Sequence, residues 1–229
     1  MEYKYEVTSL TGFLQRVATH LLPKGYYFFV QGTLPEGKDP AALDAKLLAK
    51  YDVAKSEGAR RWRKQQGLGN VQYVRFERSW ILLATHGDHA IREGEGDNLK
   101  DVRRVPIRIG DYSLTVKRGN FLQKLSPDHL PLPDGRWRVR VLIAREPYRE
   151  LCAYFLSIAC HRRADTLAAE LYALPHIPYA PVRKQLLKLL RLINAKRQAA
   201  GYSKIPYSAL RFRRPIVKAF ELPGDMEAA

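Results

Sequence analysis

The sequence predicts an α+β fold: a mixed or antiparallel sheet of about six strands with packed helices, followed by a helical basic C-terminal region. Three observations carry this. Short runs with strand-like alternation, or apolar throughout, recur between Tyr26 and Ala144 and are bounded by Gly, Pro and Asp. Amphipathic helical stretches precede and interrupt them. From Pro147 onward the apolar period is helical.

The first helix spans Ser9 to Leu22. Leu10, Phe13, Leu14, Val17 and Leu21 share a face, Thr8 or Ser9 can cap it, and Pro23-Lys24-Gly25 ends it. Tyr26 to Thr33 is rich in aromatic residues, which suits a central strand. A long helix starts at Asp39, with Pro40 in its first turn where a missing N–H costs little. It is expected to run to about Gln66 with Gly58 as a kink or division. Val71 to Phe76 and Trp80 to Thr85 read as a hairpin across Glu77-Arg78-Ser79. A second hairpin, Val105 to Ile109 and Tyr112 to Lys117, turns at Gly110-Asp111, where Gly in first place favours type II′. Phe121 to Asp134 is Pro-rich and irregular. In the strand Arg136 to Ala144, Trp137, Val139, Val141 and Ile143 alternate with Arg136, Arg138 and Arg140.

Leu151, Phe155 and Ile158 mark the next helix, Thr166 to Leu174 another, and Pro181 to Gln198 the clearest of all. The expected organisation is an α+β core over residues 1–145 and a helical basic region over 146–229, with a single cooperative unit equally compatible with the absence of a flexible linker. Two cysteines, Cys152 and Cys160, are too few for a disulfide framework and read as small buried thiols. No apolar run reaches membrane-helix length and the first residues lack a signal-peptide pattern, so the expected compartment is the cytoplasm.

Charge is the strongest functional signal. The formal net charge is +16, and the stretch Leu171–Phe220 holds eleven Lys and Arg with no Asp or Glu. A charge carried for solubility would be spread out, whereas a polyanion site concentrates it. On the helix from Pro181, Val182, Leu186, Leu189, Leu190 and Ile193 form a face to be buried, while Lys184, Lys188 and Arg191 fall on another. Like charges at that spacing repel by a few tenths of a kcal/mol per pair, about the range found for helix ion pairs. Phosphates would supply the missing counter-charge. Lys196, Arg197, Arg211, Arg213 and Arg214 extend the basic segment, with Tyr202, Tyr207 and Phe212 interleaved for stacking or for docking the tail. Arg60, Arg61, Arg63 and Lys64, with Trp62 among them, make a further cluster, and Arg136, Arg138 and Arg140 another on one strand face. The expected partner is therefore nucleic acid, DNA or RNA undecided, with no membrane and no small-molecule cofactor. A mobile-element or RNA-processing accessory factor would fit this pattern. A binding module for an acidic protein or anionic surface is a further alternative.

A catalytic alternative rests on Thr85-His86-Gly87-Asp88-His89. Here His86, Asp88 and His89 could bind a divalent metal, with His86 and His89 in a nuclease or strand-transfer mechanism. The order strand, helix, hairpin with histidines and later helix with tyrosines resembles the HUH-type single-strand endonucleases. That resemblance implies a metal and a tyrosine nucleophile, for which Tyr172 and Tyr179 are the candidates. The sequence departs from that pattern, because two residues rather than one separate the histidines. At that spacing a strand sends them to opposite faces. No Walker loop, dinucleotide-binding glycine pattern, CxxC pair or nucleophile elbow is present.

Overall fold

A computed structural model describes residues 3–119, 122–123, 126 and 130–221. Residues 121, 124, 125 and 127–129 of the Pro-rich stretch and the last eight residues lie outside the described set. The chain divides into two compact units. The first comprises residues 1–107, 114–140 and 217–229, and the second residues 108–113 and 141–216.

The first unit begins with α1 (Leu10–Gln15), capped by the Ser9 hydroxyl, which accepts the Gly12 N–H at 3.0 Å. The helix widens into a π-helical turn over Arg16–Leu21 before Pro23 stops it. Strand β1 (Phe28–Thr33) follows. The long helix read from the sequence is two helices, α2 (Pro40–Lys50) and α3 (Glu57–Gln65). The break falls before Gly58. Tyr51 is pulled into the core and Asp52 takes a left-handed φ of 46°, while Ser56 caps α3 through the Ala59 N–H.

Strands β2 (Val71–Phe76) and β3 (Ser79–Ala84) form the expected hairpin, with Phe76 opposite Ser79 across a two-residue connection. Helix α4 (Ile91–Glu95) and β4 (Lys100–Asp101) come next. The four-stranded order is β2-β3-β1-β4, antiparallel at each pairing, and places β1 in the interior as its aromatic run predicts. The six expected long strands are all present, but not in one sheet. Lys100 and Asp101 pair with Phe29 and Phe28 on the edge of β1 that the second hairpin would otherwise extend. That hairpin, β5 (Ile107–Ile109) and β6 (Tyr112–Arg118), instead joins a later strand. Two short strands, β7 (Leu122–Gln123) and β8 (Leu132–Pro133), pair with each other, and then β9 (Trp137–Ile143) completes a separate sheet ordered β5-β6-β9. Gly110 has φ 50°, the sign a type II′ turn needs at its first position.

One face of the first sheet packs Leu47, Tyr51, Val53, Val71, Tyr73, Leu82, Ala84 and Ile91 together. Full burial of each aliphatic side chain stabilises by about 1.5–3 kcal/mol. Within this core Asp44 accepts from Tyr73 Oη at 2.6 Å and from Arg75 Nε at 2.9 Å, so a buried carboxylate is matched by a buried guanidinium.

In the second unit, α5 (Arg145–Ile158), α6 (Ala164–Ala173) and α7 (Ala180–Ala199) follow one another. Gln185 of α7 clamps the backbone of Ile143, accepting its N–H at 2.8 Å and donating to its carbonyl at 3.1 Å. Cys152 lies in α5 and Cys160 just beyond it, both free and half-buried. No helix among the described residues is long and apolar enough to cross a membrane.

Candidate functional site

Helix α7 buries Val182, Leu186, Leu189, Leu190 and Ile193, the face its spacing predicts. Its end is fixed by Gly201 at φ 76°. The Gly201 N–H reaches the Gln198 carbonyl at 3.0 Å, and the Tyr202 N–H reaches that of Arg197 at 2.8 Å. This is the paired closure that a left-handed residue after a helix permits. With one face buried, Lys184, Lys188 and Arg191 are exposed on the other, and none forms an ion pair among the described residues.

The rest of the basic C-terminal set divides by what each cation already does. Arg197 is 2% exposed, which corrects its reading as a phosphate contact. Its guanidinium donates to the carbonyls of Ala159 at 2.6 Å, Arg162 at 2.9 Å and Ser203 at 2.7 Å. The 3.6-residue period carries it round toward the buried face, and three inward carbonyls satisfy it there. Lys196 is exposed and donates to the Leu156 carbonyl at 2.7 Å. Arg211 donates to the Leu174 carbonyl, and Arg214 lies over the Tyr179 ring at 4.7 Å. Arg213 is exposed.

The tail is anchored chiefly by aliphatic and amide groups, with the Tyr202 ring also set against the Arg197 guanidinium at 5.5 Å. Ile205 is buried, and Asn194 both accepts its N–H at 2.8 Å and donates to its carbonyl at 2.9 Å. Tyr202, Tyr207 and Phe212 are each about half exposed, at 49%, 59% and 51%.

In the first unit the α3 cluster is partly committed to the fold. Arg60 donates to the Lys55 carbonyl, and Arg63 grips the Gly69 carbonyl through Nη2 at 2.9 Å and Nε at 3.2 Å. Arg61 and Lys64 are exposed, as is Trp62. Arg138 is paired with Asp134, which holds that carboxyl down at about 2, and Arg140 is exposed.

The histidine segment is fastened to the loop after α3. The Gly69 N–H donates to the Asp88 carbonyl at 2.8 Å, and a side chain at Gly87 (φ 110°) would lie 2.4 Å from the Gly67 carbonyl. Arg92 Nε donates to the Gly87 carbonyl at 2.8 Å. The close backbone approach therefore requires glycine. His89 is half-buried, and its Nδ1 accepts the Ile91 N–H at 3.2 Å. Burial, followed by the nearby Arg63 cation, pushes its pKa down. His86 is exposed and meets the Phe28 ring edge-on at 4.7 Å. Among the described residues no group of three or more His, Cys, Asp and Glu, the expected set of His86, Asp88 and His89 included, is placed to hold a metal ion. Tyr172 and Tyr179 belong to the second unit, whereas both histidines belong to the first.

Beside this loop lies a cluster built on Arg103. Asp101 binds Arg103 through both carboxylate oxygens, at 2.7–3.0 Å. The fixed guanidinium stands 5.2 Å from the Tyr27 ring centre, 5.6 Å from that of Trp137 and 5.7 Å from that of Phe28. Arg118 flanks Trp137 at 5.1 Å and Arg92 flanks Phe28 at 4.5 Å. The sequence signal was an aromatic pair opening β1 and a tryptophan opening β9, among separate arginines. Comparison of the chain with protein-family models, with curated proteins and with solved structures found no match.

Proposed function

We propose that this protein binds nucleic acid, DNA or RNA, with the exposed face of α7 and the following basic segment contacting phosphates. The observation that carries the reading is the stripe Lys184, Lys188 and Arg191. These are three like charges on one exposed helix face, opposite a buried apolar face and without an ion pair among the described residues. Such a stripe is self-repulsive until an anion meets it. Arg213 adds an exposed cation farther along the same unit, and Tyr202, Tyr207 and Phe212 offer exposed rings for stacking.

Replacing Lys184, Lys188 and Arg191 together by Gln tests this. Helix propensity is nearly conserved and repulsion is relieved, so thermal stability holds or rises slightly. Affinity for oligonucleotides falls, and the slope of log K against log salt shrinks by about two to three units if each side chain meets a phosphate. A folded triple variant with the affinity and salt slope of the parent would remove α7 from the interface.

A further inference from the structure

The aromatic and arginine cluster of the first unit has the composition of a base-stacking platform. Arg103 is held on one side by the Asp101 carboxylate and faced by Tyr27, Phe28 and Trp137. Tyr27 and Trp137 lie with ring centres 6.5 Å apart. The cation–π contacts of the Arg103 guanidinium with the three rings, and its ion pair with Asp101, restrict these side chains, so a ligand meets them with less entropy left to lose. Trp137 is 41% exposed although it opens a strand whose later alternate residues, Val141 and Ile143, are buried. A fold needing only an apolar plug has no use for a large ring open to solvent beside two arginines.

Tyr27 also lines a cleft of about 290 Å³ with Lys24, Lys64, Leu68, Thr85 and His86. Lys24, Lys64 and His86 are exposed there, and no carboxylate lines the cleft. A flat π face adjoins a cationic hollow, and Tyr27 is common to both. That juxtaposition matches a planar base joined to phosphate.

We infer that the first unit binds single-stranded nucleic acid at this place, with an unpaired base stacked on Trp137 and the adjoining phosphate held in the cleft by Lys24 and Lys64. A duplex keeps its bases stacked on one another and cannot offer one to Trp137. The inference takes from the α7 reading only the class of ligand, because its residues belong to the other unit.

The test measures binding of three ligands by fluorescence anisotropy: an oligothymidylate of about 12 nucleotides, an abasic strand of equal length, and thymidine monophosphate. The parent protein is expected to prefer the base-bearing strand over the abasic one by roughly ten-fold or more. Trp137→Leu should lower that preference several-fold, leaving only what the exposed tail rings contribute, and Trp137→Phe should restore much of it. Lys24→Gln with Lys64→Gln should weaken both strands and reduce the salt slope by about one to two units. The α7 triple variant should bind more weakly yet keep the preference for bases, which separates failure of this inference from failure of the α7 reading. A folded Trp137→Leu protein that keeps the parent's full preference for bases would overturn the platform. If Trp137→Leu does not fold, equal binding of base-bearing and abasic strands by the parent overturns it instead. Thymidine monophosphate binding as tightly as the strand would also overturn it, in favour of a free-nucleotide site.

Discussion

Helices α3 and α7 both carry several cations and use them differently. In α3, Arg60 and Arg63 turn their donors onto backbone carbonyls of Lys55 and Gly69, while Arg61 and Lys64 remain exposed. In α7, Lys184, Lys188 and Arg191 stay outside, whereas Arg183 and Lys196 donate to the carbonyls of Phe212 and Leu156 and Arg197, in the last turn, is buried on three more. The difference follows from what surrounds each helix. The loop after α3 folds back under the helix and presents the Gly69 carbonyl, and the turn before α3 presents that of Lys55. Around the middle of α7 the neighbouring side chains on the buried face are aliphatic and ask for none. A run of arginines in a sequence therefore counts toward an interface only after the donors claimed by the backbone have been subtracted.

The largest effect that would break this comparison is at Arg197. Arg197→Leu leaves the buried Ala159 carbonyl without its donor and removes the packing of the guanidinium stem. Stability should fall by about 2–4 kcal/mol, measured by urea unfolding followed by circular dichroism. The triple Gln variant of the exposed stripe should be unaffected in the same experiment. If Arg197→Leu instead kept full stability and lost nucleic-acid affinity, the inward and outward classes would have been assigned the wrong way round.

A smaller effect is expected at Arg63. Removing its two hydrogen bonds to the Gly69 carbonyl by Arg63→Ala should cost about 1–2 kcal/mol, because the acceptor is a backbone carbonyl at a buried residue. Amide hydrogen exchange at Gly69 and Asn70 should quicken. Unchanged exchange there, with weakened oligonucleotide binding, would move Arg63 to the interface class with Arg61.

Much of this fold was legible because burial imposes a period. The apolar faces of α1 and α7, the β2–β3 hairpin and the interior position of β1 all follow from where Leu, Val and aromatic residues recur. The division of α2 from α3 was not legible at its true place. Asp52 supplies the left-handed residue there, a role that glycine would have advertised. The separation of the strands into sheets was hidden as well, since it turns on a two-residue strand, Lys100–Asp101, too short to show any alternation. At the candidate site the exposed stripe could be read from spacing, whereas the burial of Arg197 could not, because sequence places a residue on a helix without saying which carbonyls approach it. Tyr27, Arg103 and Trp137 are far apart in the chain, and only the folded sheets bring the guanidinium within cation–π distance of both rings.

The smallest predicted effect concerns His89, which shares its surroundings with Arg63. Burial lowers the pKa of His89 first, and the Arg63 and Lys55 cations lower it further, while Asp52 and Asp88 act in the opposite direction. A histidine whose folded pKa lies below its unfolded value destabilises the fold where the unfolded chain binds the proton and the folded one does not. Above a pH of about 6.5, the ordinary value for histidine, both states are neutral and the contribution vanishes. As the pH falls below that value, the unfolded state is protonated first, so stability should decline until the folded pKa is passed. His89→Gln keeps an acceptor for the Ile91 N–H and carries no titrating group. The difference in unfolding free energy between parent and variant should therefore be flat above neutrality and should grow in favour of the variant in mild acid. Arg63→Ala should move the His89 midpoint upward, as followed by NMR titration of the ring, because it deletes the larger of the two cationic influences. A His89 midpoint above the ordinary value, or one that falls in Arg63→Ala, would mean that the guanidinium is not held beside this ring, and the structural role assigned to the α3 arginines would lose its support.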